Sequence, residues 1–123
     1  MKLQNSFYSV ITKETGAVTR FDIKMDASHF IYQAHFPGEP ITPGVCIIQI
    51  AKELLELHLN FPLQICAVKN VKFLHVISPT ELSHVTYVFD KILPDETTNT
   101  FKAQVVIVSG ETPLAKLSFT CKE

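Results

Sequence analysis

No run of five like charges occurs anywhere in the 123 residues, and the formal net charge is −1. A chain so balanced offers no electrostatic footprint for nucleic acid or for an anionic membrane surface. Long apolar runs are also missing. The longest, Val45 to Leu59, is broken by Gln49, Lys52, Glu53 and Glu56, which excludes a bilayer-spanning helix. The first residues, Met1-Lys2-Leu3-Gln4-Asn5, turn polar at once and show no secretory h-region, so a cytoplasmic protein is expected. The five histidines are scattered and never fall at metal-ligand spacing, so no metal and no other cofactor is expected. Cys46, Cys66 and Cys121 are odd in number and unpatterned, which reads as reduced, mostly buried thiols. Neither internal repeats nor low-complexity linkers appear, and one domain over residues 1–123 is expected.

What is present is a core-forming composition, with 46% hydrophobic and 19% charged residues. A domain this small leaves apolar surface that association would cover. Most of the chain alternates with period two. Phe21, Ile23 and Met25 interleave with Arg20, Asp22 and Lys24, the signature of a half-buried strand. A strand near Ser6 to Lys13 precedes it across the hairpin signal Glu14-Thr15-Gly16. Three further alternating sets are Val85-Tyr87-Phe89, Phe101-Ala103-Val105-Ile107 and Ala115-Leu117-Phe119-Cys121, with a turn at Asp95 to Asn99 between the first two. The stretch Ile65 to Val76 is apolar enough to predict a strand buried on both faces.

One segment breaks the alternation. Thr42-Pro43-Gly44 opens a helix to about Leu59, with Thr42 as N-cap and Pro43 as the first helical residue. Gln49, Lys52, Glu53 and Glu56 form one polar stripe, and Phe61-Pro62 ends the helix. A Lys52–Glu56 pair with a solvated Glu53 is the expectation for that stripe. Apolar residues cover the rest of its circumference, so the helix must be wrapped. Two strands, a buried helix and four strands fit an antiparallel sheet curled around one long central helix, the α+β hot-dog arrangement.

The segment before this helix carries the chemistry. His35-Phe36-Pro37-Gly38, Pro40 and Pro43-Gly44-Val45 resemble the HFPGxPxxPGV signature of the 3-hydroxyacyl-acyl-carrier-protein dehydratases, matching at eight fixed positions. Met25-Asp26, His29, Val71-Lys72-Phe73 and Val76 extend the likeness outward. The resemblance implies dehydration of a 3-hydroxyacyl thioester to the trans-2-enoyl product in fatty-acid or polyene-type biosynthesis. His35 would remove the C2 proton, and the helix-start N–H near Gly44 would hold the thioester carbonyl. Phe36, Pro37, Gly38, Pro43 and Val45 would frame the substrate. It also implies a homodimer or higher oligomer, with an acyl-carrier-protein-bound thioester as substrate.

The resemblance fails at one catalytic position. The family's acid lies fourteen residues after its histidine, and Gln49 stands there. An amide donates and accepts hydrogen bonds but has no titratable proton near neutrality. General acid–base help is worth about 10²–10⁴-fold, so ordinary turnover should suffer. Ala34 replaces the glycine before the histidine, and Ser78-Pro79-Thr80 replaces a Pro-Gly-Asp turn. Three functions follow in order: a dehydratase of modified mechanism, a non-catalytic acyl-binding or partner subunit of a heterodimer with an acid-bearing hot-dog chain, and an acyl thioesterase. Glu53, one turn beyond Gln49, is a weaker candidate acid, and Cys46 reads as a structural thiol.

Overall fold

The computed structural model describes residues 2–34 and 38–123. The expected strands β1 (Tyr8–Thr15) and β2 (Thr19–Met25) come first. A five-residue helix α1 (Phe30–Ala34) follows and then the long helix α2 (Gly44–Leu59). The chain closes with β3 (Gln64–Phe73), β4 (His84–Asp95), β5 (Thr100–Ser109) and β6 (Thr112–Lys122). The pairings between these strands are antiparallel, in the order β1-β2-β4-β5-β6-β3.

The alternation seen in the sequence translates directly into faces. Phe21, Ile23 and Met25 are buried while Arg20, Asp22 and Lys24 are exposed. Val85, Tyr87, Phe89, Ala103, Val105, Ile107, Leu117 and Phe119 complete the inner face. Against that face α2 buries Ile47, Ile50, Ala51, Leu54 and Leu55. A curled antiparallel sheet thus packs on one helix, the α+β hot-dog arrangement. On the outer face, Asp22 accepts hydrogen bonds of 2.6 Å from Thr12 and Thr86, tying β1 and β4 to β2. Asp95 Oδ1 accepts from the Thr97 amide at 3.0 Å in the turn before β5, and Asn99 takes the left-handed conformation there.

Three expectations need correction. The strand expected to be buried on both faces has no buried residue; β3 is the sheet's edge and only β6 flanks it. It also ends at Phe73, after which the Leu74 and His75 amides both bond the Leu114 carbonyl. The helix starts one residue later than Pro43, which is the N-cap with extended backbone and no capping side chain. Thr42 is buried instead, its hydroxyl bonded to that of Tyr32 at 2.8 Å. At the other end Asn60, in the left-handed conformation, caps α2 through a bond from its N–H to the Glu56 carbonyl, one residue before Phe61-Pro62. Among the described residues no helix is long and apolar enough to cross a membrane.

Candidate functional site at the start of the central helix

The Pro/Gly segment delivers the chain into α2 through a braced junction. Its Thr42 amide donates to the Ile77 carbonyl at 2.8 Å, anchoring the loop to the segment that follows β3. Tyr32 secures the Thr42 side chain, and Tyr87 donates to the Ile47 carbonyl at 3.0 Å within the first helical turn. Burial pushes the Tyr32 hydroxyl up to about 12 and that of Tyr87 well above its ordinary value. Both remain neutral hydrogen-bonding struts at neutral pH. Cys46 and Ile47 amides already bond the Pro43 carbonyl at 3.0 and 3.1 Å. The Gly44 and Val45 amides precede them, at the electropositive end of the helix where no intrahelical acceptor exists.

Beside this helix start lies a cavity of about 280 Å³, whose lining includes Gly44, Ile47, Phe73, His75, Val76 and Ile77. Phe73 packs on Gly44 so closely that a Cβ there would come 2.9 Å from its ring. Glycine at this position is therefore a matter of close approach. Phe73 at 50% and Val76 at 61% exposure leave apolar surface at the opening, and Val45, next to Gly44, is 65% exposed.

Gly38 lies in the loop with a left-handed φ of 93°, Pro43 is the N-cap of α2, and Gly44 and Val45 are its first residues. His35, Phe36 and Pro37 lie outside the described residues. Gln49 is not among the cavity's lining residues. It sits a turn further along α2, in a hollow of about 430 Å³ with Lys2, Lys52, Glu53 and Glu56. The expected Lys52–Glu56 pair is present at 3.7 Å.

The expectation of a solvated Glu53 is overturned. It is 4% exposed, and four donors converge on it. The Leu3 amide and Gln49 Nε2 reach Oε2, each at 2.8 Å. The Gln4 amide at 2.8 Å and the Tyr8 hydroxyl at 3.1 Å reach Oε1. Burial, and then the Glu53 charge, raises the Tyr8 hydroxyl far above its ordinary value, so it stays a donor. Glu53 therefore clasps the amino-terminal segment to the helix, with Leu3 and Phe7 buried on either side of the clasp. The signal available in the sequence was Leu3, an apolar residue in an opening segment read only as polar. Glu53 is too enclosed to stand in for the missing acid.

The other candidates behave as structural groups. Cys46 is buried and its thiol is raised by that burial, which keeps it protonated. Cys121 is pushed up to about 12 for the same reason, whereas Cys66 is exposed on β3. His29 stacks on Phe30, meets Phe7 edge-on and accepts from the Ile31 amide through Nδ1. Among the described residues no three His, Cys, Asp or Glu side chains converge as metal ligands would.

Comparison with known proteins places this geometry. The family model described as ApeI-like, ApeI dehydratase, matches residues 11–111. The 3-hydroxyacyl-[acyl-carrier-protein] dehydratase FabZ of Fusobacterium nucleatum is 31% identical over 94 residues, 72% of this chain and 64% of that protein. FabZ of Rickettsia akari is 32% identical over 89 residues, 65% of this chain and 59% of that protein. The aligned part of the chain thus spans about three fifths of these relatives' lengths. In fold, the dehydratase heterocomplex ApeI:P from Xenorhabdus doucetiae superposes with a TM-score of 0.66 at 19% identity, over 93% of this chain and 96% of that one. The (R)-hydratase from A. caviae gives 0.65 at 14% identity, over 89% and 96%.

Proposed function

Because the chain belongs to the ApeI-like dehydratase family, we propose that it acts on 3-hydroxyacyl thioesters carried by an acyl carrier protein. The reaction is loss of water to the trans-2-enoyl thioester, in fatty-acid or polyene-type biosynthesis in the cytoplasm. The observation that carries this reading is the start of α2, where Gly44 and Val45 present their amides beside an apolar cavity of about 280 Å³. A thioester carbonyl bonded there would gain electrostatic stabilisation as negative charge develops on its oxygen. The acyl chain would enter the cavity past Phe73. His35, three residues before Gly38, is the base for the C2 proton, with Phe36 and Pro37 framing the substrate.

A second reading is favoured by the position of Gln49. Its amide is held by Glu53 in a hollow separate from the cavity, and it supplies no ionisable group. A chain with the histidine half of a site and no helix acid suits pairing with an acid-bearing hot-dog subunit. The ApeI:P protein, similar in fold, is described as a dehydratase heterocomplex.

The test is a mass-spectrometric dehydration assay on 3-hydroxyacyl-carrier-protein thioesters, with wild type and His35→Ala, each alone and mixed with an acid-bearing hot-dog subunit. Turnover by the wild type alone, lost by at least about 100-fold in His35→Ala, is the result expected of a self-sufficient enzyme. Turnover only in the mixture selects the heterodimer. Absence of dehydration and hydration in every combination overturns both.

A further inference from the structure

We propose that Glu53 is a positioning residue for Gln49, and that it makes a hydrogen-bond donor obligatory at position 49. The pair lies one helical turn apart on α2, with Gln49 Nε2 2.8 Å from Glu53 Oε2. That carboxylate has no freedom to turn away. Its other contacts are the Leu3 and Gln4 amides and the Tyr8 hydroxyl, and the residue is 4% exposed. Glu53 therefore orients the Gln49 amide from a fixed point, presenting its N–H₂ end toward the helix's next turn.

The consequence bears on the acid missing from the family pattern. A carboxyl introduced at position 49 would meet the Glu53 carboxylate at hydrogen-bond distance, in a part-buried hollow that Lys2, Lys52 and Glu56 also line. Two carboxylates in such contact cannot both ionise, and the pair holds one proton between them. The amide at position 49 is thus the partner the clasp demands. The pairing stands on geometry, while its catalytic meaning rests on the proposed dehydratase reading, since the resemblance puts position 49 where that family carries its acid.

Two readouts independent of turnover test it. In Gln49→Glu, ¹³C-detected carboxyl titration should show a midpoint at least about one pH unit above the ordinary glutamate value of roughly 4.3. Thermal stability should then fall as pH rises through that midpoint, because the protonated form is the one the fold holds. The double variant Gln49→Glu/Glu53→Gln should restore an ordinary midpoint and abolish that pH-dependent loss. A normal midpoint in the single variant overturns the proposal. In the otherwise native chain, Glu53→Gln should shift the Gln49 side-chain amide proton resonance, assigned by its disappearance in Gln49→Ala. An unmoved resonance overturns the proposal even where Gln49→Glu fails to fold. Because neither readout needs substrate, a chain inactive in the dehydration assay would sink the functional reading and leave the pair standing.

Discussion

At the scale of single residues, burial decides which polar groups have chemistry left to offer. Glu53 was expected in water because its neighbours on the polar stripe, Lys52 and Glu56, are a surface ion pair. Helical periodicity cannot separate it from them. What distinguishes it is the chain of Leu3 to Tyr8 lying across that part of the helix. His58, in the last turn of α2, is a different departure, since its buried Nδ1 has no hydrogen-bond partner among the described residues. Burial first and the Lys13 charge second lower its pKa below the ordinary 6.5. The folded state therefore favours the neutral ring, and the unfolded chain takes up the proton first as pH falls. Stability is lost from about pH 6.5 downward until the folded value is passed. The variant His58→Gln should flatten the fall in melting temperature between pH 7 and pH 5, as followed by circular dichroism; an unchanged slope would refute this.

At the scale of elements, the decisive contact joins the start of α2 to the end of β3. Phe73 lies on Gly44 with no space for a methyl group between them. Gly44→Ala should cost about 1–3 kcal/mol by overpacking, less what alanine returns through its helix propensity, read from urea unfolding. Phe73→Leu in the same chain should recover part of the loss. If Gly44→Ala is neutral, the ring moves aside freely and the tight junction has no energetic weight. Strand β2 was legible from Arg20 to Met25 because those residues face core and solvent in strict alternation. Strand β3 was not. Ile65, Ala67, Val68, Val71 and Phe73 look like the core of a central strand, yet the topology puts them at an edge with bulges after Ile65 and Lys69.

At the scale of the whole molecule, that edge and the apolar rim around the helix start describe a surface the single chain does not cover. Phe73, Leu74 and Val76, which line the cavity at the start of α2, and Val45 in the first turn of that helix are all at least 45% exposed. In the proposed assembly a second hot-dog subunit covers them and brings its helix toward this site. The double substitution Leu74→Asp/Val76→Asp should shift the sedimentation coefficient from dimer to monomer while leaving the circular dichroism spectrum intact. A wild type that sediments as a monomer, with no acid-bearing partner able to change this, would dismiss the assembly.

Alternation and turn residues by themselves determined the strand order in sequence, the buried face of β2, β4, β5 and β6, and the long helix, because local geometry converts a period directly into a face. The motif by itself determined the family, since eight residues match at set spacing. Only the tertiary structure decided which strand lies at the edge, that Pro43 caps the helix while Thr42 bonds Tyr32, and that Glu53 is enclosed and holds Gln49. Each of these depends on segments distant in sequence arriving at one place, and no periodicity along the chain records such a meeting.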